Sequence, residues 1–382
     1  MKKDDMKNDL EKVLDQLFSN RELNDAEAEK RALEIEGYLI SRGGIIMAAS
    51  CREGILLVSA DPRDEKSIFQ VYHRIALLGR GRAKDCNEIH RLALSSASIT
   101  GITFSKADIN VRDIVKGISE ELDSNFSYLR SRRGPYKADF IVTELGFSPE
   151  EDFLDMINFY GESSFKEQSR QSRLGIIETP TIQRVITTKK QPVKDNEGKI
   201  VKDEKGNIKI QDVPCLVETF SRPVSSGIFA LIGDIVAGKG VVESIGEIAL
   251  FIGLMLRLLD ERRGTLAMAY LDREMLKKTK SEERRFHHIW QIVTNPNPNK
   301  PTNPWQDWEK FVAPAYKEAK EGKISPKLKL LIEFYEFIEK EDKKNQEGIL
   351  GILDAQARYR ANYNFVMNLF APESKKEDND NK

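Results

Sequence analysis

Apolar residues recur with two periods along the chain, and the changes between them predict its elements. A spacing of three or four residues is typical of one helix face, whereas apolar runs between turn-forming residues are typical of buried strands. The predicted helices are 10–18, 25–40, 82–98, 110–130, 241–259, 305–319, 326–339 and 346–369. The predicted strands are 43–49, 55–60, 68–72, 75–78, 138–145, 183–188, 228–232 and 265–271, the last taken as the final strand.

This order predicts an α+β fold. A strand hairpin, two more strands, two long helices and further strands suggest two antiparallel sheets between helical layers, a four-layer αββα sandwich. Residues 147–170 are acidic and aromatic and are expected to be partly helical. The expected division is a helical segment 1–41, a sandwich domain 42–290, a linker 291–302, a helical extension 303–370 and a disordered tail 371–382.

One insertion interrupts the sandwich pattern. Two related units, 195–200 and 203–208, each place a glycine where a turn needs positive φ. Residues 193–213 are therefore predicted to form a protruding polar β-ribbon, within an insertion of about 189–214. Neither unit fits a calcium loop, which needs alternating acidic ligands and a closing glutamate.

Composition narrows the class of protein. The 382 residues include 60 Lys and Arg against 61 Asp and Glu, so no bulk charge favours nucleic acid or anionic lipid as a partner. Residues 1–15 lack the apolar core of a signal peptide, and charges interrupt the apolar stretch 228–259. We therefore expect a cytoplasmic protein that does not enter a membrane.

Candidate metal and cofactor chemistry is weak. Three scattered cysteines, Cys51, Cys86 and Cys215, predict buried reduced thiols rather than disulfides or a zinc cluster. The four histidines lack paired metal-ligand spacing. We expect no metal and no cofactor.

One motif suggests nucleotide binding as an alternative function. Residues Gly233–Lys239, followed by Gly240, nearly match the phosphate-binding loop GxxxxGK[ST] after a predicted strand. Gly240 stands where that motif needs a hydroxyl, and no parallel strand–helix alternation surrounds it. A strand-to-helix turn is the favoured interpretation.

Several segments in order resemble proteasome α-type subunits, especially the bacterial ones. The segments are Glu27–Ile45, Met47–Pro62, Ile68–Gly81, Asp108–Leu122, Lys137–Leu145, Ile228–Gly233 and Leu266–Arg273. The resemblance covers about residues 25–285, and it implies the fold of the N-terminal nucleophile hydrolases. The ribbon and the residues after Trp290 depart from the family pattern.

Two missing groups separate this chain from the catalytic members of that superfamily. Active β subunits expose a threonine whose own amine serves as the base at the start of the first strand. Here the corresponding point is near Gly44, which Ile45 follows, and the position of the lysine that activates such a threonine is near Gln70. The resemblance therefore implies a non-catalytic α-type subunit with no catalytic residues.

The resemblance also implies partners. It predicts a ring, usually of seven copies, that stacks on catalytic β-type subunits, admits unfolded protein substrates and binds a ring ATPase or other activator. Lys66 is the candidate that binds the carboxylate of an activator tail. The helix 25–40 would pack between neighbours, residues 1–24 would lie near the entrance, and the C-terminal helices would cap the ring or replace an activator.

Two alternatives stay open within the same fold. One is a catalytically active homomeric N-terminal nucleophile hydrolase with an atypical nucleophile. The other is a homomeric scaffold without a β-type partner.

Overall fold

The structure is a computed structural model that describes part of the chain. The described residues are 25–42, 44–61, 67–103, 109–127, 134–163, 183–193, 199–202, 206–220, 244–259, 265–274, 286–292, 308–345, 362, 364–365 and 368–369.

Helices and antiparallel sheets are both present, so the predicted α+β class is confirmed. The helices of the described part are α1 (Asp25–Arg42), α2 (Ala83–Thr103), α3 (Val111–Ser127), α4 (Ile245–Leu259), α5 (Trp308–Lys320) and α6 (Pro326–Asn345). The strands are β1 (Ile45–Ser50), β2 (Gly54–Asp61), β3 (Ile68–Tyr72), β4 (Ile75–Gly81), β5 (Ala138–Glu144), β6 (Phe153–Ile157), β7 (Gln183–Pro192), β8 (Ile210–Phe220), β9 (Thr265–Asp272) and β10 (Phe286–Ile292).

The strands form two sheets in which every neighbouring pair is antiparallel. One sheet has the order β10-β9-β2-β1-β8-β7 and the other has the order β3-β4-β5-β6. The predicted hairpin of β1 and β2 is confirmed: Ile45 lies opposite Ala60, and the amides of Cys51 and Gly54 donate to each other's carbonyls at 2.7 and 3.3 Å.

Two predictions about the strands are wrong. The strand at 265–271 is not the last one, because β10 follows it and pairs with β9. The sequence of β10 has two histidines and a glutamine among apolar residues, so it lacks the clear alternation that is typical of a strand. The segment 147–170, which was expected to be partly helical, contains the strand β6, and its described residues 147–163 contain no helix. Pairing with β5 along five residues outweighs the weak local preference of that short segment.

Three hydrophobic clusters follow from the alternation of side chains along the strands. Ile46, Leu57 and Ala269 of the six-stranded sheet share one cluster with Leu78 and Ile141 of the four-stranded sheet. The opposite face of the four-stranded sheet packs against α2 and α3. The opposite face of the six-stranded sheet packs against α4, α5 and α6.

The C-terminal helices α5 and α6 contribute to this last cluster. Val312, Ala319, Leu331 and Ile332 are buried in it together with residues of α4 and of the sheet. Tyr316 and Lys320 also contact Glu336, with a Lys320 Nζ to Glu336 Oε1 distance of 2.8 Å. Deleting residues 291–382 would therefore expose the outer face of α4.

Several predicted elements lie outside the described residues. They are the helix 10–18, the strand 228–232, residues 293–302 of the linker 291–302, the tail 371–382 and most of the helix 346–369. The domain boundaries predicted from the sequence stay predictions.

Candidate functional site

The start of β1 is the point where a hydrolase of the resembled superfamily would carry its nucleophile. Gly44 has a φ of 97° and leads directly into Ile45, whose half-buried side chain packs on the α4 side of the sheet. The next side chain, Ile46, is buried between the two sheets. Neither isoleucine offers a hydroxyl or thiol for covalent catalysis.

Helix α1 precedes this strand and is docked on the protein. Ala28, Ala32, Ile35 and Leu39 follow a spacing of four, three and four residues, and all four are buried against Phe126 and Phe159. The guanidinium of Arg31 donates to the carbonyl of Phe126 at the end of α3. Because α1 is anchored along its length, the chain just before β1 is a packed element of the fold.

The contact between α1 and the four-stranded sheet depends on a glycine. Gly81 ends β4 with a φ of 134°, a conformation that side chains other than glycine rarely adopt. A Cβ at this position would lie 2.1 Å from the carbonyl oxygen of Lys137 and 2.9 Å from Leu39. Glycine thus allows α1 to cross close to the ends of β4 and β5, which we call the helix end of the molecule.

Buried polar groups lie between the sheets at the helix end. Arg80 of β4 lies directly opposite Asp139 of β5, and both are nearly inaccessible to solvent. By alternation from Leu78 and Ile141, both side chains face the other sheet, where Ser59 is also buried. Asp139 accepts a hydrogen bond from the amide of Phe159 at 3.2 Å, which ties this pair to the surface that α1 covers.

A second carboxylate fixes the entry of α2 at the same end. The buried carboxylate of Asp85 accepts two bonds from the guanidinium of Arg82, at 2.6 and 2.9 Å, and one from the amide of Lys137 at 2.8 Å. This hydrogen-bonded carboxylate raises the pKa of Arg82. Asp85 also lies in the first turn of α2, where negative charge is favourable.

The opposite end of the sandwich, which we call the ion-pair end, contains a buried salt bridge. Arg273 follows β9 and Asp152 precedes β6, with side-chain exposures of 2% and 0%. Their two parallel bonds measure 2.8 Å from Nη1 to Oδ1 and 2.7 Å from Nη2 to Oδ2. The pair thereby joins the end of β9 in the six-stranded sheet to the start of β6 in the four-stranded sheet.

All five donors of this guanidinium have acceptors. Besides the carboxylate, Nη1 donates to Gly146 at 2.6 Å, Nη2 donates to Cys51 at 3.1 Å and Nε donates to Arg52 at 3.1 Å, each through the backbone carbonyl. Asp152 accepts two further bonds, from Ser50 Oγ at 2.6 Å and from the amide of Gly146 at 2.9 Å. A buried ion pair is tolerated when it is satisfied in this way.

Two ionisable groups near the ion-pair end have shifted pKa values. Burial raises the pKa of the Cys51 thiol, so this cysteine is an unreactive thiol at neutral pH. Burial also raises the pKa of Glu144, against the opposing charges of Arg74, 2.8 Å away, and Arg112. Cys51 and Cys86 are both free and buried, as the sequence predicted.

The other residues singled out in the sequence are dispersed. Gln70 lies in the middle of β3, and its carbonyl is 3.0 Å from His90 Nε2, while the ring of His90 stacks on Phe69. Lys66 and Gly233–Lys239 lie outside the described residues, so their roles stay predictions.

Neither a membrane-spanning helix nor a metal-binding cluster is found among the described residues. None of the helices described is long and apolar enough to cross a membrane. Within the same residues, no group of three or more His, Cys, Asp or Glu side chains is arranged to hold a metal ion.

Two buried charged pairs, Arg273 with Asp152 and Arg80 with Asp139, could not be found from the sequence. Arg273 and Asp152 are 121 positions apart, and only the packing of the two sheets brings them together. A signal existed, because both are charged residues placed directly beside apolar strands. The same holds for Arg80 and Asp139, which stand inside otherwise apolar strands.

Comparison with known proteins gives a consistent result over part of the chain. No family model matches the chain. Curated relatives named proteasome subunit alpha do match: that of Paenarthrobacter aurescens (strain TC1) is 24% identical over 123 residues, covering 32% of this chain and 51% of the relative. That of Acidothermus cellulolyticus is 27% identical, with 32% and 52% covered. That of Streptomyces coelicolor is 25% identical over 114 residues, with 30% and 44% covered.

The chain thus spans about half the length of the curated relatives it matches. This distant similarity supports a proteasome-like fold for about one third of the chain.

Proposed function

We propose that this chain is a non-catalytic α-type subunit of a proteasome-like, self-compartmentalised protease. Three kinds of evidence support the proposal: the order of sequence segments, the two antiparallel sheets and the similarity to proteins named proteasome subunit alpha. The protein would act in the cytoplasm as part of an outer ring that controls substrate entry.

The proposed architecture is the four-layer αββα sandwich of the N-terminal nucleophile hydrolases. In support, one hydrophobic cluster lies between the sheets, and each sheet has a second cluster that it shares with helices on its other face. This is the arrangement expected when two sheets each bury both faces.

The non-catalytic assignment depends on the residues at the start of β1. Catalysis in the superfamily needs a hydroxyl or thiol beside a free terminal amine. In this chain Ile45 begins the strand, and the preceding helix α1 is held by four buried residues. A cut before Ile45 would release no nucleophile.

The proposed assembly follows the resemblance. Copies of the chain would form a ring, with seven as the expected number, stacked on catalytic β-type subunits. Unfolded proteins would be the substrates, and a ring ATPase or other activator would bind the outer face, with Lys66 contacting the carboxylate of its tail. Residues 1–24 would lie near the entrance.

Purification of the full chain tests the central proposal. We expect no hydrolysis of fluorogenic peptides by the chain alone, an N-terminus at Met1 or one residue later, and a ring mass by native mass spectrometry. Co-expression with the β-type subunit encoded by the same genome should yield a mixed complex that cleaves peptides.

Two outcomes would contradict this proposal in different ways. An N-terminus at Ser, Thr or Cys together with hydrolysis by the chain alone would favour the active homomeric hydrolase. A homomeric assembly that binds no β-type subunit would favour the scaffold alternative.

The activator site has its own test. Lys66→Ala should weaken binding of a synthetic peptide with the C-terminal sequence of the ring ATPase, measured on the assembled ring. Lys84→Ala, at an exposed position at the start of α2, is the matched control. Equal affinity of the Lys66→Ala and wild-type rings would remove this assignment.

A further inference from the structure

Backbone hydrogen bonds hold the described residues of the β-ribbon that connects β7 to β8. Three residues spaced eight apart, Val193, Val201 and Lys209, form a closed cycle of backbone hydrogen bonds. The amide of Val193 donates to Lys209 at 2.8 Å, that of Lys209 donates to Val201 at 3.0 Å, and that of Val201 donates to Val193 at 2.8 Å. These bonds connect the described residues of the ribbon to one another.

One face of the ribbon is apolar and exposed. Ile210 lies opposite Pro192, and Ile208 lies opposite Lys202. Because side chains alternate along a strand, Ile200 falls on the same face as Lys202. The three isoleucines are each about half exposed. We call this face, made of Pro192, Ile200, Lys202, Ile208 and Ile210, the ribbon patch.

The ribbon extends from the ion-pair end of the molecule. In the register of the sheet, Leu216 of β8 pairs with Ala49 near the end of β1. The ribbon continues from there toward Lys209, which places its tip roughly 20 Å beyond the end of β1 at about 3.3 Å per residue. The patch is therefore remote from the clusters that form the core.

At the helix end, α1 presents a surface of complementary character. Leu33 is 52% exposed on the face opposite the buried residues of α1. Glu29 and Glu34 are exposed beside it, and Gly37 has open space around it. We call this surface the α1 face. An apolar patch with a cation on the ribbon thus has a counterpart with an apolar residue and two carboxylates.

We propose that the ribbon patch binds the α1 face of a second copy of this chain, head to tail. Two complementary surfaces at opposite ends of one molecule generate a ring or an open chain of copies. Burial of the isoleucines against Leu33 supplies the apolar part of the contact, and Lys202 beside Glu34 sets its register. This inference rests on the proposed function, because it names the contact through which the proposed ring forms.

Substitutions in the ribbon patch test the contact in the full chain. Ile200→Asp with Ile208→Asp should lower the self-association constant about tenfold or more, leaving monomers of 43.6 kDa by native mass spectrometry. The circular dichroism spectrum should stay at that of wild type because the ribbon lies outside the core, which separates a lost contact from a lost fold. Ile102→Asp, at an 85% exposed position on α2, is the matched control and should assemble normally.

Mixing two defective variants tests the head-to-tail geometry. The ribbon variant keeps its α1 face, and a Leu33→Asp variant keeps its ribbon, so an equimolar mixture should form heterodimers and no larger assembly. Lys202→Glu and Glu34→Lys should each weaken association, and a chain with both changes should recover at least part of it.

Four outcomes would overturn the proposed contact. A ribbon variant that assembles like wild type while the complex with β-type subunits persists would remove the contact and leave the proposed function standing. A ribbon variant that forms its homomeric ring yet no longer binds the β-type subunit would assign the patch to that partner. Disassembly by Ile102→Asp alone would place the interface on α2. A wild-type chain that stays monomeric would contradict both the contact and the proposed function.

Discussion

The two ends of the inter-sheet layer are closed by different chemistry. At the ion-pair end, the charged pair of Arg273 and Asp152 joins the sheets through bonds that are all satisfied and fully buried. At the helix end, α1 covers the ends of β4 and β5 mainly through apolar residues. One end is thus held by direction-dependent bonds, and the other by burial of a helix face.

This difference suggests which end can vary within such a fold. A satisfied buried ion pair tolerates little change, because removing either partner leaves a charge without compensation. The free energy of docking a helix is proportional to the apolar area that it buries, so substitutions at that end can change stability gradually. An active hydrolase would need an open helix end beside its nucleophile, and in this chain that same end carries the docked helix.

The largest effect is expected at the ion-pair end. Asp152→Ala should lower the free energy of unfolding by about 3–5 kcal/mol, because Arg273 keeps a buried charge without its counterion. Urea unfolding followed by circular dichroism measures the change. In contrast, Glu120→Ala, which removes an exposed partner of Lys116 on α3, should cost below about 0.5 kcal/mol.

The double variant Asp152→Leu with Arg273→Met sharpens this prediction. If the cost of Asp152→Ala comes from an uncompensated charge, the double variant should be more stable than the single one. Equal destabilisation of both would show that the hydrogen bonds to the backbone matter more than the charge.

At the helix end a smaller effect is expected. Leu39→Ala should lower the free energy of unfolding by about 2–4 kcal/mol, since the side chain is fully buried against Phe126 and Phe159 and a cavity would remain. Leu94→Ala at an exposed position on α2 is the control and should be nearly neutral. A loss as large as that of Asp152→Ala would mean that the two ends are equally critical.

The sequence predicted most of the elements that have a regular local pattern. The hairpin of β1 and β2, the helices α2 and α3 and the strand β5 follow from periodicity, because their apolar positions repeat over several turns or residues. The α+β class follows from their order. Short or irregular strands were harder, and β6 and β10 were missed because partners distant in sequence determine them.

The two buried charged pairs could not be predicted for a related reason. Arg80 and Asp139 meet only after β4 and β5 adopt their register, and Arg273 and Asp152 meet only after the two sheets pack together. The lack of a hydroxyl at Ile45 was visible in the sequence. The sequence indicated that α1 is a helix, but it did not indicate that α1 packs on Phe126 and Phe159.

A hydrogen bond beside the buried pair provides an intermediate test of the ion-pair end. Ser50→Ala removes the hydroxyl that donates to Asp152 at 2.6 Å and should cost about 1.5 kcal/mol, the lower part of the range for bonds to charged groups. Ser98→Ala on the exposed side of α2 is the control in the same urea titration. A cost for Ser50→Ala no greater than that of the control would show that Asp152 is sufficiently held by its other partners.

The smallest expected effect concerns Glu144, whose ion pair with Arg74 lies at the same end but is less deeply buried. Burial raises the pKa of Glu144 above its unfolded value of about 4.3, so the folded state holds this proton more tightly. Its contribution to stability is greatest below the unfolded pKa and is lost as pH rises through the folded pKa. Glu144→Gln cannot ionise, so its stability relative to wild type should increase between about pH 3 and pH 7.

Urea midpoints across this pH range measure the trend, with the exposed Glu120→Gln as the matched control. A relative stability of Glu144→Gln that falls with rising pH would mean that the charges of Arg74 and Arg112 outweigh burial. A relative stability that rises with pH would show that burial affects Glu144 more than the charges of Arg74 and Arg112 do.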